Sequence, residues 1–315
     1  MIVTVTPNTG IDYTMAVPHF ELNATIRSSE QAWGMGGKTT DVAWILGQLG
    51  VPVRALGFAA GFTGEQMERM LKNRGVVTDF TWVEGETRLN LILVCTDGSG
   101  QSTITSSRLL VLNHHLTEFQ TQYLAALENA SCLVLGGSLP VGVPQEFYAR
   151  TITQARQRNI PVIFDSSGPA LRAGVQAHPS LIKPNRDELG ELMGFLPASL
   201  HEYHHAAKML QGQYGTDVIV TIGSEGALAV LGERSYRIPP FSLPVASSAG
   251  AGDGILAGMA LAYSLGEPLE NGLRYGFSLA GAVLQTLATA DFRINDYQAL
   301  LPQITLIPIS KEHSP

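Results

Sequence analysis

The 315-residue chain is 45% hydrophobic and 15% charged, with a net charge of −7 at pH 7. That composition suits a compact protein of one large or two smaller domains and excludes a disordered or fibrous chain. The acidic balance argues against nucleic acid or an anionic membrane as the principal partner, so any phosphate site has to be locally basic. The chain shows neither a basic-then-apolar leader nor an uncharged apolar stretch of spanning length. Its two cysteines, Cys95 and Cys132, fall in apolar runs that read as strands, so buried reduced thiols and a cytoplasmic setting are expected.

A short β-rich run at residues 2–6 opens the chain, and the polar alternating stretch 11–33 reads as strands of a loose sheet. Helical spacing begins at Thr39: Val42, Ile45, Leu46 and Leu49 share a face, Gly50 stops the helix, and Pro52 restarts an extended run to Phe58. The pattern then predicts helices over 64–73, 116–128, 144–158, 186–194 and 201–214, and strands over 132–135, 162–165, 181–183 and 218–222. Such alternation implies an α/β fold: a mainly parallel sheet with helices on both faces. Residues 79–105 break the rhythm, with 87–95 and 102–105 reading as a hairpin around Asp97-Gly98-Ser99-Gly100. Together with 11–33 they are expected to form a small accessory sheet, and no repeat or low-complexity linker divides residues 1–315.

In an open α/β sheet, ligands gather at the carboxyl ends of the strands. Asn8, Asp12, Gly136-Gly137-Ser138, Asp165-Ser166-Ser167-Gly168, Lys183-Pro184-Asn185 and Gly223-Ser224-Glu225-Gly226 all follow predicted strands. Each alone reads equally well as a cap or a turn. The most informative stretch runs Ser247-Ser248-Ala249-Gly250-Ala251-Gly252-Asp253-Gly254 into an apolar helix over 255–265. Free N–H groups at such a helix start suit an anion, and Asp253 is placed to take a proton from an attacking hydroxyl. An anion site beside a base is what phosphoryl transfer to an alcohol requires, although a tight turn before a helix fits the same letters.

Two other motifs carry weaker readings. Gly36-Gly37-Lys38-Thr39 matches the end of a P-loop, but Ala32 stands where the first glycine belongs and the preceding strand is polar. His201-Glu202-Tyr203-His204-His205 matches HExxH without a visible third ligand, so a solvated helix face is expected there, and the His114-His115 pair has less support still.

Taken together, "TVTPNTGID", "GGKTTDVAWILGQLG", "GFTGE", "TRLN", "GGSLPVGVP", "DSSGPAL", "IKPNRDEL", "VTIGSEGAL" and "SAGAGDGILAG" occur in an order and spacing that resemble the ribokinase-like PfkB carbohydrate kinases. Within that family the branch of 1-phosphofructokinase and tagatose-6-phosphate kinase is the nearest in pattern. The resemblance implies a three-layer α/β/α fold with a small β lid, formed from about 11–33 and 79–105 and often pairing with the lid of a second subunit as a homodimer. It implies Asp253 as catalytic base, with the amides of Gly250, Ala251, Gly252 and Asp253 as the anion hole. Lys183, Asn185, Thr221, Gly223, Ser224 and Gly226 would line the ATP site, and Asn185 with Glu188 would organise Mg²⁺ through water. The acceptor would meet Asp12, Gly37, Lys38, Asp41, Arg88 and Asn90, with Arg27 and Ser138 as further candidates, and Lys38 with Arg88 would hold its existing phosphate.

The chain departs from the family pattern GGKGxNVA at Thr39, in place of a glycine, and at Asp41, in place of an asparagine. The family's lysine after "TRxNV" is Ile92, and the lid segment NGPGP reads Thr105-Ser106-Ser107-Arg108-Leu109, where Arg108 would restore a charge. The implied activity is ATP-dependent phosphorylation of a primary hydroxyl of a ketohexose phosphate, of the fructose 1-phosphate or tagatose 6-phosphate type. Asp41 and Ile92 keep open a kinase of an unphosphorylated sugar, since an ionised carboxylate only accepts hydrogen bonds and suits sugar hydroxyls better than phosphate. A non-catalytic sugar-phosphate sensor is the reading from another class.

Overall fold

The computed structural model describes residues 1–106, 109–240 and 242–309. Its strands are β1 (Ile2–Asn8), β2 (Gly10–Val17), β3 (Glu30–Gly36), β4 (Val53–Ala59), β5 (Val77–Trp82), β6 (Arg88–Cys95), β7 (Gly100–Thr105), β8 (Cys132–Gly136), β9 (Val162–Asp165), β10 (Leu181–Ile182), β11 (Asp217–Thr221), β12 (Ala227–Leu231), β13 (Arg234–Ile238) and β14 (Ile307–Pro308). Ten of them form one sheet in the order β14-β13-β12-β11-β10-β9-β8-β1-β4-β5. From β5 to β11 every pairing is parallel, and the last three strands are antiparallel. Strand order reverses at β1, which lies between β4 and β8, so the carboxyl ends of β1 and β8 open a crevice at the switch point.

Alternate residues of each central strand feed opposite cores. On β8, Cys132 and Val134 face one apolar cluster while Leu133 and Leu135 face the other. The first cluster is closed by α1 (Lys38–Gln48), α2 (Gly61–Asn73), α8 (Ala251–Leu265) and α9 (Leu269–Leu284). The second is closed by α3 (Asn113–Leu127), α4 (Phe147–Arg156), α5 (Gly168–Val175), α6 (Arg186–Met193) and α7 (Leu200–Tyr214). A short helix, α10 (Ile294–Leu300), follows α9. This is the expected three-layer α/β/α arrangement.

The remaining strands form a separate sheet in the order β3-β2-β6-β7, with β2 and β6 parallel. Only Thr9 separates β1 from β2, so the chain passes straight from the switch point into this sheet. The expected boundaries shift here: Val77–Trp82 pairs with β4 in the large sheet, and residues 18–29 contribute no strand. Cys95 is only partly buried, whereas Cys132 is fully so, and both are free thiols.

Several elements are absent from the sequence reading. In α9, Gly272, Gly276 and Gly281 lower helix propensity; a Cβ at Gly258 of α8 would collide with the backbone of Gly276, so these small residues are where the two helices touch. The β12–β13 hairpin turns on Gly232-Glu233, and α5 starts at Gly168-Pro169, letters that read as ordinary turns.

Candidate active site

The carboxyl ends of the central strands converge with the N-termini of α1 and α8. At the switch point Asn8 Nδ2 donates to Ser138 Oγ at 2.8 Å, tying the end of β1 to the loop after β8. Asp165 ends β9, Lys183 and Asn185 follow β10, and Thr221 ends β11. Lys38 opens α1 directly after Gly37, whose φ of 98° is one that residues with a Cβ rarely adopt.

A charged cluster fills this convergence. Asp165, 2% exposed, receives Lys38 Nζ on Oδ1 at 3.0 Å and Lys183 Nζ on Oδ2 at 3.2 Å. Burial pushes the Asp165 carboxyl up, but the charges of Lys183 and Lys38 outweigh it and hold the group below the usual carboxylate range. Burial disfavours the Lys38 ammonium, yet Asp165, Glu188 and Asp253 around it raise its pKa. Glu188 Oε1 lies 3.8 Å from Lys38, and burial with the neighbouring Asp165 charge raises that carboxyl. Lys38, expected to hold the acceptor's phosphate, is thus turned toward Asp165 and Glu188. Asn185 and Glu188 form a capping box on α6: Glu188 N–H donates to Asn185 Oδ1 at 2.8 Å, and Asn185 N–H to Glu188 Oε2 at 2.9 Å.

Beside it stands a second group from the small sheet. Gly10 pairs with Arg88 and Asp12 with Asn90 across the β2–β6 ladder, so all three polar side chains come from alternate rungs and share one face of the sheet. Asn90 Nδ2 donates to Asp12 Oδ1 at 2.7 Å. Burial raises the Asp12 carboxyl despite Asn90, Thr289 and the Arg88 charge. Asp41, one turn into α1 and 4% exposed, lies within the electrostatic reach of Asp253, Asp12 and Arg88, and burial with the like charges of Asp253 and Asp12 pushes its carboxyl well up.

Asp253 belongs to the first turn of α8. Gly250 caps that helix in the left-handed region at φ 81°, and a Cβ there would run into the backbone of Ala290. The Asp253 amide already donates to Gly250 O at 3.1 Å, which leaves the amides of Ala251 and Gly252 as the first-turn donors without a partner inside the helix. Burial raises the Asp253 carboxyl to about 7, Lys38 and Lys183 pulling it down and Asp165 pushing it up. Beyond the helix start opens a cavity of about 950 Å³ lined by Asn185, Thr221, Gly223, Ser224, Gly226 and Gly252, with Phe277 and Leu284 on its apolar wall.

Other sequence candidates lie elsewhere. Arg27 is exposed on the connection between β2 and β3, outside the buried cluster, and Arg108 falls outside the described residues. Thr39 Oγ1 donates to Val5 O at 2.7 Å, so its hydroxyl serves β1 and not a P-loop. In the HExxH stretch, Glu202 accepts from Ala198 N–H and His204 meets Ser235. His115 Nδ1 accepts from Leu112 N–H at the start of α3. Among the described residues no group of three or more His, Cys, Asp or Glu is arranged to hold a metal ion.

The sequence reading gave no role to three contributors. Asp165 appeared only as one of several acids after a strand. Gln101 of β7 accepts from Ser248 N–H and Ser247 Oγ, both at 3.2 Å, linking the small sheet to the loop before α8. Thr289 lies beside Asp12 and helps to offset the effect of burial on its carboxyl, and its backbone packs on Gly34 of β3 so closely that a Cβ there would lie 2.6 Å from Thr289 N. No local pattern announces Gln101 or Thr289, which reach the site through tertiary contact alone.

Comparison with known proteins agrees with this geometry. The profile of the pfkB family carbohydrate kinases matches residues 5–294. A 1-phosphofructokinase of Bacillus subtilis (strain 168) is 33% identical over 308 residues, 96% of this chain and 98% of that protein. A 1-phosphofructokinase of Borreliella burgdorferi is 30% identical over 305 residues, 96% of this chain and 97% of that protein. Among solved structures, phosphofructokinase-2 from Escherichia coli in complex with potassium superposes with a TM-score of 0.87 at 27% identity, covering 96% of this chain and 98% of that one. These likenesses favour neither a P-loop enzyme nor a sensor without activity, and the chain belongs to the pfkB family of carbohydrate kinases.

Proposed function

We propose that this kinase transfers the γ-phosphoryl group of ATP to a primary hydroxyl of a ketohexose phosphate, fructose 1-phosphate first and tagatose 6-phosphate second. The observation that carries the reading is the placement of Asp253 between two differently equipped sides. On one side Arg88, Asp12 and Asn90 offer a cation and sugar-hydroxyl partners; on the other lies a glycine-lined cavity of nucleotide size. The names of the two curated relatives support fructose 1-phosphate as acceptor.

In this mechanism the acceptor's phosphate rests against Arg88 while Asp12 and Asn90 orient its hydroxyls. The Asp253 carboxylate takes the proton of the attacking hydroxyl, whose oxygen bonds to the γ-phosphorus as the bond to ADP breaks. Lys38 and Lys183, held by Asp165, face the charge on the transferring group together with the Ala251 and Gly252 amides. The residues fit a nucleotide: a Cβ on Gly252 would crowd Lys183 Nζ at 3.3 Å, and bare backbone lets a phosphate approach there. Mg²⁺, which neutralises phosphate charge when bound, keeps most of its waters in such sites, so it fits a site without a direct carboxylate cage. Asn185 and Glu188 would hold it through water.

A homodimer through the small sheet fits the outer face of that sheet. Trp33, Tyr13, Leu91 and Ile104 form one row across its four strands, with Trp33 48% and Ile104 55% exposed. Among the described residues no helix is long and apolar enough to cross a membrane, and the free thiols suit a reducing cytoplasm. An ATP-consumption screen against fructose 1-phosphate, fructose 6-phosphate, tagatose 6-phosphate and their unphosphorylated parents tests the reading. Fructose 1-phosphate should show the highest kcat/KM, and a preference for an unphosphorylated parent would overturn it.

A further inference from the structure

The guanidinium of Arg74, at the C-cap of α2, lies 3.3 Å from the centroid of the Trp44 ring, a cation over a π face. Its edge forks: Nη1 donates to Gln48 Oε1, and Nη2 donates to Asp291 Oδ1 at 2.8 Å. Gln48 closes the ring of contacts by donating from Nε2 to Phe292 O at 2.6 Å. Trp44 and Gln48 belong to α1, whereas Asp291 and Phe292 belong to the turn that follows α9. A lysine, whose ammonium is a point charge, could not stack on the ring and reach both acceptors at once. One planar cation thus ties the turn to two helices.

The other side of the same turn bears on the reaction. Thr286 Oγ1 donates to Asp291 O at 2.7 Å, bracing the turn from within. Ala290 is fully buried at φ 55°, a left-handed conformation that a residue with a Cβ holds only where its surroundings dictate it. Its N–H donates to Ala249 O at 3.5 Å, and a Cβ on Gly250 would run into its backbone. The Thr289 backbone packs as tightly on Gly34, which pairs with Asp12 across the β2–β3 ladder. Consecutive residues of one turn therefore seat the cap of α8 at the anion site and the Asp12 rung on the acceptor side. Gly34 and Gly250 have no side chain to yield, so any shift of the turn passes directly into both backbones.

We propose that Arg74 is a positioning residue for phosphoryl transfer: by holding Asp291 directly, and Phe292 through Gln48, it fixes the turn that spaces Gly250 from Gly34. That spacing sets the transferring phosphoryl group against the acceptor hydroxyl, and the inference rests on the kinase reading above. Arg74 acts by holding and not by contact with the reacting groups. The 13 residues of α2 run back from the carboxyl end of β4 over about 20 Å, which leaves Arg74 at the helix end remote from the site. Its loss misaligns two bound partners without removing a binding group, so kcat falls and the KM values hold.

The test compares Arg74→Met, Asp291→Asn and the double variant with the wild type, using ATP and fructose 1-phosphate at a temperature where circular dichroism shows each fully folded. Each single substitution should lower kcat about tenfold and leave KM for both substrates within about threefold. Both break the same link, so the double variant should fall no more than about twofold below Arg74→Met. A wild-type kcat in Asp291→Asn, or losses that multiply in the double variant, would overturn the proposal. Should Arg74→Met not fold, Asp291→Asn carries the kinetic test alone, since its side chain is partly exposed. A second measurement needs no substrate: the amide resonances of Gly34 and Gly250 by nuclear magnetic resonance. Both should move in Asp291→Asn, while Gly194, the C-cap of α6 on the other face of the sheet, stays in place. Unless both move the proposal falls, and movement of Gly194 as well would mark a general loosening and overturn it too. If both glycines move alone while fructose 1-phosphate is inert with the wild type, the acceptor assignment fails; the kinetic comparison is then made with the acceptor that the ATP-consumption screen identifies.

Discussion

Lys38 Nζ stands 3.0 Å from one oxygen of Asp165, a residue 127 positions away in the chain, and Lys183 occupies the other oxygen. One buried carboxylate thus aligns two cations that arrive from a helix start and a strand end. Replacing Asp165 with Asn removes the charge that holds both in place, and breaking a buried ion pair typically costs about 3 kcal/mol. We expect Asp165→Asn to lower kcat about 10²-fold and to unfold at lower urea concentration. Steady-state kinetics and equilibrium unfolding check this; a variant with normal kcat would show that the lysines need no common anchor.

Asp253 joins activity to stability. Its carboxyl is raised from the ordinary 3.8 to about 7, so kcat/KM should climb through that region as the base form accumulates. An acid whose pKa is higher folded than unfolded takes up a proton on folding. Its ionisation therefore costs stability increasingly from about pH 4 to about pH 7. Asp253→Asn should cut turnover by about 10²- to 10⁴-fold. The same variant should gain Tm, more at pH 8 than at pH 5. Calorimetry at the two pH values decides it, and a larger gain at pH 5 would contradict the assignment.

Arg88 begins β6 two rungs from Asn90, on the acceptor side of the base. Arg88→Ala should raise KM for the sugar phosphate at least tenfold, the scale of a lost charge-assisted contact, and leave KM for ATP within about twofold. Equal rises in both constants would place the guanidinium outside the acceptor site.

Gln101 carries the contact between β7 and the loop before α8 through a single amide oxygen. Gln101→Leu keeps the size of the side chain and removes the acceptor. Hydrogen exchange at the Ser248 amide should accelerate, by about 5- to 10-fold for the loss of roughly 1 kcal/mol. Exchange at wild-type rate would show that this loop is held by other means.

Most of the large sheet is legible in the sequence because its strands are short apolar runs punctuated by caps: 132–135, 162–165 and 218–222 fall on β8, β9 and β11 almost residue for residue. The glycine-rich α9 was not legible, since its helix depends on α8 lying against Gly276. At the site, Asp253, Lys38 and Lys183 stand out as polar residues at element ends. The electrostatic crowding of Asp41 does not, because it follows from carboxyls being brought into one buried cluster from α1, α8 and β2. Lys38 shows the same limit: sequence places a cation at the helix start, and only the fold decides that it answers Asp165.

Thr289 and Ala290 press on Gly34 and Gly250, positions with no room for another atom. The small sheet is consequently not an interchangeable module. A chimera that borrows β2, β3, β6 and β7 from a relative to change sugar preference has to bring residues 285–292 with them, or the new sheet will seat against a turn cut for the old one.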